Sequence, residues 1–491
     1  MPHERTAIWI SATLGALAAL AALGWWLSTP TVLQFAPSLP GRDDPQGQRA
    51  RDLAVSKAQT TQIGNYFLAG DGTPSTVVTA SWPGFRGPGL DNISTEATPL
   101  AETWPEAGPP VLWSLTLGEG HAAAAVHRGR LFIMDYLEEA GRDALRCFSM
   151  DDGREIWQRA YEIDVKRNHG MSRTIPAVCD DAVISIGPRG HVMACDPISG
   201  DLLWTRDLVR EYGTEIPGWH AGQCPVIDDD RVILAPAGTN VLMIACALRT
   251  GRLLWKCPTP APIKMSHASV AIATVDGHRM YVYAGVGGVV GVGATGGEAG
   301  HVLWLSTDWT PSVIAPSPVA LDDGRIFLTA GYGAGSALLK VTSSDGDYKV
   351  ETVYKKKPRE GLACEQMTPL FYEGHLFGIM PKDGGALRNQ LICYEPDGTI
   401  VWSSGKTVRF GIGPYILADA KFYIMDDDGA LTMARYSLEG YTQLGHAKVL
   451  DGVDSWGPLA LVNGRLLARD STRMVCLDVS RDGITAAKKT P

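Results

Sequence analysis

The nine cysteines of this chain include no CxxC, CxxCH or adjacent Cys-Cys pair, which excludes covalent c-type haem and the usual Cys-based zinc sites. They are also too few and too scattered for a disulfide scaffold. No GxSxG turn supplies an exposed nucleophile. No DxDxDG loop is present, although MDDDGAL (425–431) comes near to one. The turn aspartates Asp151, Asp152, Asp180, Asp181, Asp228, Asp229, Asp230, Asp426, Asp427 and Asp428 are of the kind that bond their own backbone. The glycine run GVGGVVGVGATGG (285–297) lies between strands and not at a strand-to-helix turn, so it is no phosphate loop. Basic residues are outnumbered, 44 Lys+Arg against 53 Asp+Glu, net charge −9, and form no stripe; nucleic acid is not an expected partner.

What the chain does have is glycine and proline (55 and 31) and 45% hydrophobic residues, a balance that suits a turn-rich all-β protein with a large core. It also begins with an apolar run. AIWISATLGALAALAALGWWL (7–27) carries no charge, and about 20 such residues suffice to cross a bilayer. Arg5 precedes it and Trp25-Trp26 ends it, as at a membrane interface. A cleaved signal peptide is the alternative; the length and the Trp pair favour an anchor, and no lipid-attachment cysteine follows. The expected organisation is a cytoplasmic stub (1–6), a transmembrane segment (7–27), a linker (28–80) with a short helix near 46–60, a lead-in containing SWPGFRGPGL (81–110), and one repeat domain (111–483) on the extracytoplasmic, periplasmic side.

The repeat is the strongest signal. CFSMDDGREIW (147–157), CDPISGDLLW (195–204), CALRTGRLLW (246–255) and CYEPDGTIVW (393–402) each join an apolar strand, a turn with Gly, and a strand ending in Trp four residues after that Gly. Gly300/Trp304 fits, and Gly346/Val350 and Gly440/Leu444 fit weakly. Each unit's other half is a hairpin, as in PVIDDDRVIL (225–234) or PLFYEGHLFG (369–378). The turn-end residues 157, 204, 255, 304, 350, 402 and 444 recur every 42 to 52 residues, the length of one four-stranded propeller blade. Eight units are predicted. The eighth has three clear strands, and VLWSLTL (111–117) is the expected fourth, closing the ring; DGITAAKK (482–489) is its rival. Cys147, Cys195, Cys246, Cys393 and Cys476 recur at one strand position and are expected to be small buried apolar groups.

These phrases resemble the pyrroloquinoline-quinone (PQQ) type repeat, with Cys often in place of its Ala, over residues 111–480. The resemblance implies an eight-bladed β-propeller of four-stranded antiparallel blades. It also implies one of two functions. BamB-like propellers bind no quinone and act as scaffolds in outer-membrane protein assembly. Quinoprotein alcohol dehydrogenases hold PQQ and calcium over the propeller axis. This chain is similar to the first branch in blade number and size, and it lacks the second branch's cysteine pair and haem motif. The expectation is therefore a non-catalytic, membrane-anchored scaffold for cell-envelope protein partners, with no cofactor. The alternative is a quinoprotein-like oxidoreductase binding PQQ with calcium, or another small ligand. A solute sensor is disfavoured by the short N-terminal stub.

Aligning the segments that lead into the innermost strands gives one ring of channel-facing positions: His121, Arg173, Gly222, His267, Ala315, Gln366, Ile412 and Trp456. Near them lie Glu119, His169, His220, Gln223, Glu365 and Ser455. The candidate site is His121, Arg173, His220, His267, Gln366 and Trp456. Arg173 would pair with an anion and Trp456 would stack. Two other readings stand beside this one: a water-lined channel, and a transition-metal site on His121, His220 and His267.

Overall fold

The structure, a computed structural model, describes residues 2–28 and 61–487. The chain divides into two units, Met1–Ala58 and Gln59–Pro491, each described by itself. Among the described residues the first holds the helix Pro2–Ser28. The helix expected near 46–60 lies outside the described residues. The expectation of a single-pass anchor at residues 7–27, and of an extracytoplasmic propeller hung from it, is overturned. Among the described residues no helix is long and apolar enough to cross a membrane.

The second unit is a ring of eight antiparallel blades. The inner strands of blades 1 to 8 are Ala125–His127, Ala177–Val178, Val226–Asp228, Ala271–Val275, Val319–Ala320, Leu370–Tyr372, Tyr415–Ala418 and Ala460–Val462. Hairpin turns then place the second, third and outer strands successively outward. The ring closes as the hydrophobic pattern predicts. Val111–Thr116 pairs with Arg473–Asp478 and brings Trp113 opposite Cys476, while Arg481–Ala487 of the rival segment is a helix. N- and C-terminal segments thus share blade 8, and the outer edge of Arg473–Asp478 is covered.

The Gly–Trp spacing has a packing cause. Across the outer hairpin from each indole sits a small residue: Cys147 opposite Trp157, Ala194 opposite Trp204, Ala245 opposite Trp255 and Cys393 opposite Trp402. The indole then lies on the turn of the following blade. Gly251 has φ 63°, and a Cβ there would fall 2.6 Å from the Trp204 ring. Only glycine supplies both the left-handed turn and that clearance. Trp157, 2% exposed, meets Gly200 in the same way, and Trp204 Nε1 donates to the Leu248 carbonyl at 2.6 Å. Blade 5 departs from the pattern. Its outer strands, Gly335–Ser344 and Asp347–Lys356, run to ten residues each. The docking groups therefore come later than Val350: Tyr354 donates to the Pro396 carbonyl at 3.0 Å and Lys356 to that of Gly398 at 2.7 Å.

Two further devices join the blades. One is a belt inside the channel in which a side chain of each of blades 3 to 6 accepts the preceding blade's backbone N–H. Ile175 donates to Cys224 Sγ (3.2 Å), Cys224 to Ser269 Oγ (2.9 Å), Ser269 to Ser317 Oγ (3.0 Å) and Ser317 to Thr368 Oγ1 (2.9 Å). The other is the lead-in segment. Trp82 pairs with Val126 of blade 1 and the Pro83 carbonyl accepts from Val178 of blade 2. The chain then crosses the end of the channel. Arg86 donates to the Pro369 carbonyl of blade 6, and Ile93–Ser94 lies parallel on Leu417–Ala418 of blade 7. Within the stretch read as linker, Tyr66–Ala69 adds a strand to the outer edge of blade 1.

Candidate functional site

Each segment that leads into an inner strand delivers its side chains to one mouth of the channel. Arg173 sits among them as a guanidinium with no carboxylate partner among the described residues. Its terminal nitrogen donates to the carbonyls of Asn168 (2.7 Å) and His169 (2.6 Å), and its Nε–H is buried without a partner. Burial lowers its pKa to about 10, so it stays cationic at neutral pH.

Three imidazoles surround this charge. His121, 8% exposed, donates its backbone N–H to the Ser172 carbonyl at 2.7 Å, and its ring lies 5.1 Å from that of Trp456. Burial, then the charges of Arg173 and Arg469, push its pKa down to about 3. His267 is pushed down to about 4 by burial, Arg173 and His220. It packs where Gly222 lacks a side chain; a Cβ there would fall 2.9 Å from Nδ1. His220 is likewise lowered, mainly by burial, and its Nε2 bonds the Lys166 carbonyl at 2.9 Å. All three rings are neutral at pH 7. The structure thus gathers His121, Arg173, His220, His267 and Trp456 at one mouth. Gln366, half-buried, makes no hydrogen bond to any of the other five among the described residues.

Several residues of the mouth were absent from the sequence reading. Trp219 stacks on Tyr332 at 5.9 Å with 14° between planes and lies 6.2 Å from the His267 ring. Tyr332 is 62% exposed and left-handed (φ 57°). His169, His220 and Asp454 are also left-handed, and His and Asp are residue types enriched in that conformation. Asp427 accepts from Trp456 Nε1 (3.1 Å), Ile412 N (2.9 Å) and Arg409 (2.5 Å). Arg469, 1% exposed, bonds only carbonyls, including those of Ala122 and Gly118, and so ties blade 8 to blade 1. Tyr332, Asp427 and Arg469 sit in or beside turns between second and third strands, which reach the same end of the channel as the aligned segments. An aromatic or charged residue in those turns was the available signal.

Arg173 and the imidazoles come from blades 1 to 4. At the same mouth the Glu365 and Asp454 carboxyls are raised, mainly by burial. The donor set does not fit calcium at Arg173, because that ion needs six or more oxygens and a guanidinium repels it. Among the described residues no three His, Cys, Asp or Glu side chains are grouped to hold a metal ion. A carboxylate, by contrast, matches the Arg173 fork.

Comparison with known proteins agrees with the architecture. Residues 141–358 match the family described as outer membrane protein assembly factor BamB. BamB from Moraxella catarrhalis superposes with a TM-score of 0.51 at 13% identity, over 75% of this chain and 100% of that one. Quinohemoprotein alcohol dehydrogenase from Comamonas testosteroni gives 0.55 at 11% identity, over 81% and 80%. A europium-containing methanol dehydrogenase gives 0.53 at 11%, over 84% and 92%. At such identities these structures share the fold alone. No curated protein matches by sequence. The chain is therefore an eight-bladed β-propeller that is similar, across residues 141–358, to the family of the assembly factor BamB.

Proposed function

We propose that this propeller is a protein-binding scaffold that engages its partner through the channel mouth. The observation that carries this reading is the Trp219–Tyr332 stack, with Tyr332 62% exposed, beside the carboxylate-free Arg173. Tyr, Trp and Arg dominate the binding energy of protein interfaces when clustered near the centre of a contact. The matched family is itself named for assembling other proteins. In the test, a partner cross-linked to the purified chain is identified, and its affinity is measured for wild type, Tyr332→Ala and Arg173→Ala. Loss of about 2 kcal/mol, roughly 30-fold, in each variant is expected. Unchanged affinity in both variants, with melting temperatures preserved, refutes the reading.

A second reading rests on the buried Nε of Arg173 and Nδ1 of His121, both without partners. They suit a small acidic ligand, held by Arg173 and stacked near Trp456. Its test is titration of the chain with PQQ, with and without calcium, followed by absorbance. Saturable binding lost in Arg173→Ala supports it, and no calcium dependence is expected from the donor set.

A further inference from the structure

The other end of the channel, where the turns after the inner strands lie, holds a cavity of about 840 Å³. One wall is the crossing segment, residues 81–91; the facing wall includes the inner strands of blades 3, 4 and 5. On blades 1, 2 and 7 this chain covers its own inner edges. Trp82 and Val126 exchange both backbone hydrogen bonds (2.9 and 2.8 Å), Val178 N donates to the Pro83 carbonyl (2.8 Å), and Ile93–Ser94 lies on Leu417–Ala418. Val226–Asp228, Ala271–Val275 and Val319–Ala320 receive no such strand among the described residues. Alternate backbone groups of an uncovered edge strand have no partner and form a template for another extended chain.

The chemistry of the walls narrows what that chain is. Arg86 is 7% exposed, lines the cavity and keeps a buried Nε–H without a partner. A backbone carbonyl would satisfy it. The lining carries four carboxylates, Asp91, Asp228, Asp229 and Asp322, against the guanidiniums of Arg86 and Arg279. Asp228 neutralises Arg279 through two hydrogen bonds of 2.5 and 2.6 Å. Asp229 and Asp322 are exposed at the rim and make no ion pair among the described residues. The rim therefore favours cations and opposes acidic segments.

We infer that this cavity binds an extended, basic segment of a partner protein. The segment adds as a strand to the uncovered inner edge of blade 4, a carbonyl meets Arg86 Nε–H, and Lys or Arg side chains reach Asp229 and Asp322. This is strand addition, in which backbone bonds give affinity and side chains give selectivity. The site lies at the opposite end of the channel from Tyr332 and Arg173, so variants separate it from the mouth.

The test uses the full chain and a fluorescein-labelled (Val-Lys)4 peptide with blocked ends, followed by anisotropy. Saturable binding is expected, at least fivefold weaker in the double variant Asp229→Asn/Asp322→Asn, and absent for (Val-Glu)4. Both substitutions are at exposed positions, and an unchanged melting temperature shows that the fold persists. Location has its own readout. Cys179 lines the cavity and is half-buried, whereas the other eight cysteines are buried. Bound (Val-Lys)4 should slow alkylation of Cys179 by maleimide. Equal binding of both peptides, no saturable binding, or alkylation unaffected by peptide overturns the inference. So does self-association of the chain that the double variant abolishes, which would make the cavity a contact between copies.

Discussion

Asp143 offers the sharpest test of the packing between blades 1 and 2. Its carboxyl is fully buried, accepts one hydrogen bond, from Tyr161 OH at 2.8 Å, and leaves Oδ1 without a partner. The groups facing it give no countercharge. Asp135 is spent on Arg146 at 2.8 Å, and the His191 ring lies 5.3 Å from that of Tyr161, with Asp207 3.8 Å behind it. Burial, against the Tyr161 hydrogen bond, raises the Asp143 pKa from 3.8 to about 7. Between those pH values the folded chain keeps a proton that the unfolded chain has released. Stability therefore falls as pH rises through this window, by about 4 kcal/mol in all, and stays flat above it. Asp143→Asn keeps the shape and removes the titration. The variant should exceed wild type in stability by a margin that grows by about 3 kcal/mol from pH 5 to pH 8. The lowered pKa of His191 acts with the opposite sign but is common to both proteins, so it cancels. Urea midpoints of both proteins at the two pH values give the comparison. A margin independent of pH, or a variant weaker than wild type at pH 8, would show that Asp143 is not held protonated.

Other consequences follow from the blade junctions and thiols. Trp157→Ala should cost about 3–5 kcal/mol in urea unfolding, because it empties the space over Gly200. Gly251→Ala should destabilise by more than the usual 1 kcal/mol scale of a strained turn, since the new methyl meets the Trp204 ring as well; a neutral result refutes the close packing. Deleting residues 111–116 should uncover the outer edge of Arg473–Asp478 and produce aggregation, seen by light scattering, while the equally long deletion of 482–487 should not. Ellman's reagent should modify one thiol, Cys179, rapidly in the native chain and all nine in urea. Burial raises thiols such as Cys195 to about 12, which suppresses the reactive thiolate.

How much of this was legible in the sequence depends on whether a contact repeats. The Gly–Trp interval was readable because every blade must solve one packing problem, an indole against the next blade's turn. The same solution recurs at Gly200 and Gly251. Val111–Thr116 was assignable because eight blades need thirty-two strands and the final unit showed three. His121, Arg173, His267 and Trp456 came from the same logic, since each precedes an inner strand. Contacts made once leave no such trace. Tyr332 and Asp427 belong to turns of differing length and composition, so no alignment of repeats could bring them to the mouth. Arg86 is the extreme case. Its neighbours in space, Pro369 and Tyr415, are some 280 and 330 residues away in sequence. Nothing in SWPGFRGPGL shows that the segment crosses the channel. The crossing is set by which inner edges the lead-in can cover while its ends stay on blades 1 and 7. That constraint leaves the inner edges of blades 3 to 5 without an added strand among the described residues, and they line the cavity in which an outside chain has room to bind.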